Sequence, residues 1–158
     1  MTIHIKLRKA TGTDAADLSH LAMRSKAYWG YSSAFMQACR QELCVDQVMI
    51  NDATSLFIVA EVDTSMVGFY ALEAISSPVI ELGFLFVEPA KIRCGIGQQL
   101  IEHAKQRAKE LGAKTLLIQG DPHAKGFYCA MGAKPIGQRE SASIPGRFLP
   151  LFSIDLVQ

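Results

Sequence analysis

Gly95 and Gly97 stand one residue apart in Lys91-Ile92-Arg93-Cys94-Gly95-Ile96-Gly97-Gln98, where an apolar run stopped by Pro89 gives way to a helical pattern. Glycine lets the backbone take unusual φ values and lets a ligand approach bare N–H groups. The first turn of a helix carries unpaired N–H groups and the positive end of the helix dipole. Together these make a site for a phosphate-type anion. The same two glycines also suffice for a plain strand-to-helix turn. The spacing excludes a P-loop, since no G-x-x-x-x-G-K-[ST] occurs. It also fits a dinucleotide fingerprint poorly, because the third glycine position of G-x-G-x-x-G falls on Leu100 and three strands come earlier.

The elements that must position this turn are readable from periodicity. Ile3–Leu7 alternates apolar and polar residues, as a strand does. Residues 11–28 read as a helix capped at or beside Thr13, with Leu18, Leu21 and Ala22 on one face. Residues 31–44 read as a second helix capped by Ser32 or Ser33, with Phe35, Ala38, Cys39 and Leu43 inward. Residues 54–63 and 66–76 are strand-like around a turn at Asp63–Ser65, a hairpin pattern. Residues 79–89 give a further strand. From Gly95 to Gly112 runs an amphipathic helix with Leu100, Ile101, Ala104, Ala108 and Leu111 on one face. A short strand (114–120), a short helix opened by Asp121-Pro122, and two closing strands (134–140 and 148–156) complete the chain. The order β-α-α-β-β-β-α-β-α-β-β predicts an α+β fold: one mixed, mostly antiparallel sheet of about seven strands flanked by about four helices. No linker or repeat interrupts it, so one domain over residues 1–158 is expected.

Composition narrows the function classes. The chain has 158 residues, with 16 Lys and Arg against 15 Asp and Glu. It has no basic stripe, which argues against nucleic acid as a partner. No apolar stretch matches a bilayer span and the start lacks a signal-peptide layout, so a cytoplasmic protein without a membrane partner is expected. Cys39, Cys44, Cys94 and Cys129 lack metal spacing, and His4, His20, His103 and His123 are scattered, so no metal site is expected.

The glycine turn resembles the central motif [QR]-x-x-G-x-[GA] of the GNAT superfamily of acetyl-CoA-dependent N-acetyltransferases. Both glycines match; Ile92 stands where the family has Gln or Arg, with Lys91 and Arg93 as basic flanks. Asp121-Pro122-His123-Ala124-Lys125-Gly126-Phe127-Tyr128-Cys129-Ala130-Met131-Gly132-Ala133 resembles the family's N-x-x-A-x-x-F-Y-x-x-x-G-F helix, with Asp121 for Asn and Ala133 for Phe. The strand order agrees as well.

The resemblance implies a GNAT-like fold and coenzyme A as the source of the anion. It implies that Arg93, Cys94, Gly95, Ile96, Gly97, Gln98, Asp121 and Ala124 hold the coenzyme, together with backbone groups of Leu85, Phe86 and Val87. An N–H near Leu85 would face the developing oxyanion. It further implies Glu81 as the base that frees the amine; Glu73 and His123 are weaker candidates that no family match singles out. Tyr128 would be the proton donor to, or positioner of, the departing thiolate. A model amine has a pKa of about 10 and glutamate one of about 4.3, so burial beside Ile80 and Phe84 is expected to lift Glu81 toward its task. Water could also mediate. The acceptor is expected opposite the coenzyme, with Tyr28, Trp29 and Tyr31 as an aromatic wall for an amine cation and Arg147 as a hold for an anionic substituent. The implied reaction is acetyl transfer from acetyl-CoA to a small primary amine by direct attack in a ternary complex, with CoA as product. A protein lysine or N-terminus as acceptor, and a coenzyme A-binding module without turnover, are the alternatives. Family habit makes a homodimer possible.

Overall fold

The computed structural model describes residues 3–157. Its centre is a seven-stranded sheet of β1 (Lys6–Lys9), β2 (Ser55–Val62), β3 (Ser65–Glu73), β4 (Val79–Val87), β5 (Thr115–Gln119), β6 (Lys134–Glu140) and β7 (Phe148–Asp155). The spatial order is β1-β2-β3-β4-β5-β7-β6. Every neighbouring pair is antiparallel except β4 and β5. That parallel pair needs a crossover, and α4 (Ile96–Glu110) supplies it.

Leu56–Ala60 and Val67–Leu72 are buried on both faces, which is why these segments read as continuous apolar runs. Tyr70 and Leu72 of β3 and Ile80 and Leu82 of β4 pack with Leu100, Ile101, Ala104 and Ala108 of α4. Phe69 and Ala71, one residue out of phase, pack on the other face with Phe57, Val59 and Phe84. There they meet Leu18, Leu21 and Ala22 of α1 (Ala15–Ala27) and Met36 and Cys39 of α2 (Ser33–Cys39). Each fully buried Leu or Phe contributes roughly 1.5–3 kcal/mol relative to exposure, so the two faces hold the sheet independently.

Several boundaries differ from the sequence pattern. The first strand is Lys6–Lys9 rather than Ile3–Leu7, because the Ile3 N–H bonds Cys94 O (3.0 Å) at the loop before α4. A 3₁₀ turn, Gly12–Asp14, precedes α1. Asp14, beside Thr13, is the N-cap residue of α1; its side chain makes no capping bond to that helix, and its carboxylate instead accepts from the Thr11 N–H at 2.8 Å and pairs with Arg8 at 2.8 and 3.0 Å. Ser32 does cap α2, its Oγ accepting from Phe35 N at 3.1 Å. Met36 and Cys39 are the buried residues of that helix, Phe35 packs half-buried against the same core, Leu43 is buried just beyond the helix, and Ala38 is exposed. A fifth helix, α3 (Gln47–Asn51), is a single turn capped by Asp46. Five residues are too few to show a helical period. The β2–β3 hairpin turns through Asp63 and Thr64 at φ 50° and 70°, the geometry of a type I′ turn. The last helix, α5 (Lys125–Ala130), follows a 3₁₀ turn at Pro122–Ala124. β6 is an edge strand whose seven residues are all exposed.

Candidate active site

β4 and β5 are paired only over Val79–Leu82 and Thr115–Ile118. Beyond Leu82 the strands part: Gln119 of β5 pairs with Leu151 of β7, while β4 continues alone along β3. The parting leaves a cavity of about 750 Å³, walled by Gly83, Phe84, Leu85, Phe86 and Val87 on one side and by Gly120, Asp121, Ala124, Phe127 and Tyr128 on the other. Along β4 the Glu88 N–H bonds Val67 O, so the N–H groups of Leu85 and Val87 face away from β3. Val87 N reaches Ser25 Oγ at 3.4 Å. Leu85 N therefore points into the cleft.

One end of the cavity is the start of α4. Gly95 takes φ 83° as the N-terminal cap, and no side chain caps the helix. The first intrahelical bond is Gln99 N–H to Gly95 O, so the N–H groups of Ile96, Gly97 and Gln98 precede it. Gln99 Nε2 bonds Ile3 O at 2.6 Å and braces the loop from behind. A Cβ on Gly97 would stand 3.3 Å from the Phe127 ring, so this position is already close-packed. Lys91, Ile92, Arg93, Gly95, Gly97 and Gln98 line the cavity. Cys94 packs against the α4-side core and Ile96 is buried in it, so these two have only backbone to offer a ligand. The site is thus an uncapped helix terminus with two cations beside it, chemistry that fits a pyrophosphate.

At the other end lie Glu81 and Tyr128. Glu81 lines the cavity and is ion-paired with Arg139 of β6 at 3.1 Å, a partner the sequence reading lacked. Burial raises the pKa of Glu73 on the neighbouring strand, and the charge of Glu81 adds to the rise. Tyr128 is buried, and burial, with the Asp121 charge adding to it, drives its pKa above the ordinary phenol value. It therefore keeps its proton at neutral pH.

The residues expected to meet the acceptor do not form one wall. Trp29 lines the cavity and lies flat on His123, with ring centroids 5.1 Å apart. Tyr28 packs edge-on to Trp29 at 5.2 Å and is 47% exposed, outside the lining. Tyr31 and Arg147 are also outside the lining, because each is engaged elsewhere. The Tyr31 hydroxyl donates to Asp121 Oδ2 at 2.7 Å and accepts from Arg147 Nη2 at 2.8 Å. Arg147 lies 4.8 Å from the Phe35 ring centroid, and Lys26 Nζ reaches Asp121 at 3.5 Å. Asp121 Oδ1 also accepts from the His123 N–H at 2.9 Å. Burial works against the Asp121 anion, but the hydrogen bonds from His123 and Tyr31 and the Lys26 charge outweigh it and hold its pKa below the usual carboxylate range. Burial, with Asp121 beside it, pushes Tyr31 up to about 12. Asp121 is therefore both the cap before α5 and the knot that ties the α1–α2 segment to the β6–β7 loop. A second tie joins Ser143 of that loop to Glu42. Lys26 and Glu42 gave no signal in the sequence, and Phe35 showed only as an inward helix residue, since their partners lie about a hundred residues away.

A family model described as an acetyltransferase (GNAT) domain matches residues 15–143. Over 73 residues the chain is 36% identical to the peptidyl-lysine N-acetyltransferase YjaB of Escherichia coli, which is 46% of this chain and 48% of YjaB; the chain spans about half the length of this curated relative. The PaiA N-acetyltransferase of Thermoplasma acidophilum, solved in complex with coenzyme A, superposes with a TM-score of 0.77 at 20% identity, covering 97% of this chain and 99% of PaiA. The ribosomal-protein-S18-alanine N-acetyltransferase of E. coli superposes with a TM-score of 0.73 at 17% identity, covering 98% and 96%. The split between β4 and β5, the glycine turn at α4 and the extent of the family match lead to one conclusion: the chain belongs to the GNAT acetyltransferase family.

Proposed function

We propose that this chain transfers the acetyl group of acetyl-CoA to the primary amine of a small molecule, by direct attack with both substrates bound. The observation that carries this reading is the single cavity that has an uncapped helix terminus at one end and a carboxylate, Glu81, at the other. Acetyl-CoA supplies the activated thioester carbonyl. The N–H groups at the start of α4, with Lys91 and Arg93, hold its pyrophosphate. Backbone groups of Leu85, Phe86 and Val87 run along the pantetheine, beside Asp121 and Ala124. Leu85 N–H is aimed where carbonyl oxygen charge develops, a contribution on the order of 3 kcal/mol in comparable sites. Tyr128, which keeps its proton, stands ready to donate toward sulfur. Glu81 draws the acceptor ammonium into the cleft.

A small acceptor is favoured by the two ties that bridge the acceptor side, Tyr31 to Arg147 and Glu42 to Ser143. They join the β6–β7 loop to the opposite wall and narrow the way in. Peptidyl-lysine is the second reading, favoured by the YjaB match. The test incubates the protein with acetyl-CoA and two pools, small primary amines and lysine-bearing peptides, and reads CoA thiol release and product mass. Turnover in the first pool alone is the expected result. Turnover in the peptide pool alone establishes the second reading. Saturable stabilisation by coenzyme A with no turnover in either pool overturns both in favour of a binding module.

A further inference from the structure

Two carboxylates beside the parting of β4 and β5 are opposite one another in the sheet. Glu73 of β3 is the register partner of Glu81 on β4. Directly opposed residues share a face, so both side chains project to the side packed by α1 and α2. The register slips between Ala71 and Leu72, which leaves Gly83 as the extra residue of a bulge in β4. Gly83 lines the cavity, and a Cβ built there would collide with the Glu73 carboxylate. The missing side chain at Gly83 is therefore the space that Glu73 occupies: its carboxylate sits directly behind Gly83, and Glu73 is not itself among the residues that line the cavity.

The two groups have different surroundings. Arg139 donates to both Glu81 oxygens, at 3.1 and 3.5 Å, and to Gln119 at 3.2 Å. Glu73 makes no ion pair or hydrogen bond through its side chain among the described residues. Resting on the acetyl-transfer reading above, we propose that Glu73 is the group that takes the proton from the acceptor ammonium, while Glu81, paired with Arg139, orients that ammonium. In this step an N–H bond of the ammonium breaks, an O–H bond forms on Glu73, and the electron pair stays on nitrogen. The proton later leaves Glu73 for solvent.

The chemistry suits Glu73 better than an ordinary carboxylate. A glutamate near 4.3 is a poor match for an amine near 10, and a base works best as that gap closes. Burial raises the Glu73 pKa, and the negative charge of Glu81 raises it further. The groups that face Glu73 are Glu81 on β4, backed by Arg139 of β6, and the neutral Ser55 opposite it on β2; Glu42, which follows α2, lines the cavity together with Glu81. No cation faces it directly among the described residues.

The test has a kinetic arm and a titration arm. With the fastest amine found in the two pools, kcat/KM of the wild type rises with pH as Glu73 loses its proton. Glu73→Gln is expected to lose about a hundred-fold in kcat and to lose that acid limb, with stabilisation by coenzyme A unchanged. Glu81→Gln is expected to keep the limb but move it to lower pH, because the charge that raises Glu73 is gone. Gly83→Ala, which crowds the Glu73 carboxylate off its place, is expected to lose about ten-fold and serves if Glu73→Gln does not fold. A limb that vanishes in Glu81→Gln and persists in Glu73→Gln overturns the proposal. The second arm follows the Glu73 carboxyl carbon by NMR across pH and needs no turnover. A midpoint above the ordinary glutamate value that falls in Glu81→Gln supports the proposal. A midpoint at or below that value overturns it, even where the acetyl-transfer reading stands. Failure of the wild type to turn over any amine while coenzyme A binds defeats the acetyl-transfer reading and the proposal with it, whatever the titration shows.

Discussion

Asp121→Asn tests the knot over the acceptor side. The Asp121 side chain is 15% exposed and faces Lys26, Arg147, Tyr31 and His123. Asn keeps the cap on the His123 N–H, since Asn and Asp serve equally there. It loses the charge, which weakens the hydrogen bond from Tyr31 and leaves Lys26 and Arg147 without their shared anion. Charge-assisted hydrogen bonds are worth about 1.5–3 kcal/mol, and stranding a fully buried partner costs about 3–5 kcal/mol. Lys26 and Arg147 retain some solvent contact, at 13% and 18% side-chain exposure, so a loss of about 2–3 kcal/mol is expected. For a chain of this size that lowers Tm by about 4–12 °C. The folded pKa of Asp121 lies below its unfolded value. Its contribution is therefore complete above the unfolded value near 3.9 and is lost as pH falls through the folded one. Thermal unfolding of both proteins should show the full gap at pH 7 and a shrinking gap below about pH 4. A gap under about 1 °C at pH 7, or one equally large at pH 3, would refute the assignment of Asp121 as an ionised hub.

Tyr128→Phe removes a proton donor and little packing, so CoA thiol release should fall about ten- to a hundred-fold while Tm holds within about 2 °C. Gly120→Ala places a Cβ 2.9 Å from the Tyr128 ring and 3.1 Å from Phe152; denaturant titration should show about 1–3 kcal/mol of lost stability, with activity falling alongside as Tyr128 shifts. Leu100→Ala, at 0% exposure between α4 and the sheet, should cost about 2–5 kcal/mol by the same assay.

The elements were legible where burial is periodic. The apolar runs of β2 to β4 and the stripe of α4 announced themselves, and so did the glycine turn, because its chemistry lies in eight consecutive residues, Lys91 to Gln98. The one-turn α3 was too short to show a period. Glu81 could be placed on its strand, but the relation between Glu81 and Glu73 depends on a register that slips by one residue at Gly83. An isolated glycine inside a strand is the local mark of a bulge, but it does not tell which residues then lie opposite one another. The aromatic residues Tyr28, Trp29 and Tyr31 were found as a group, yet they divide into three roles because Tyr31 has Asp121 and Arg147 as partners 90 and 116 residues away. Arg139 lay in a closing strand with nothing beside it to name its partner, and only the pairing of β6 with β7 and of β7 with β5 brings it to Glu81.

The exposed strand β6 has a consequence for assembly. A free strand edge is a template on which another chain can add a strand. Here Pro135 contributes no N–H to such a ladder, and Gly137 at φ 145° follows a register shift, so the donors and acceptors fall out of regular spacing. The charges of Lys134 and Glu140 at its two ends keep the strand solvated. This edge is thus a terminus by construction: the sheet stops growing there, and two copies of the chain that met at β6 would meet through side chains such as Ile136 and Phe148, not through a continuous ladder.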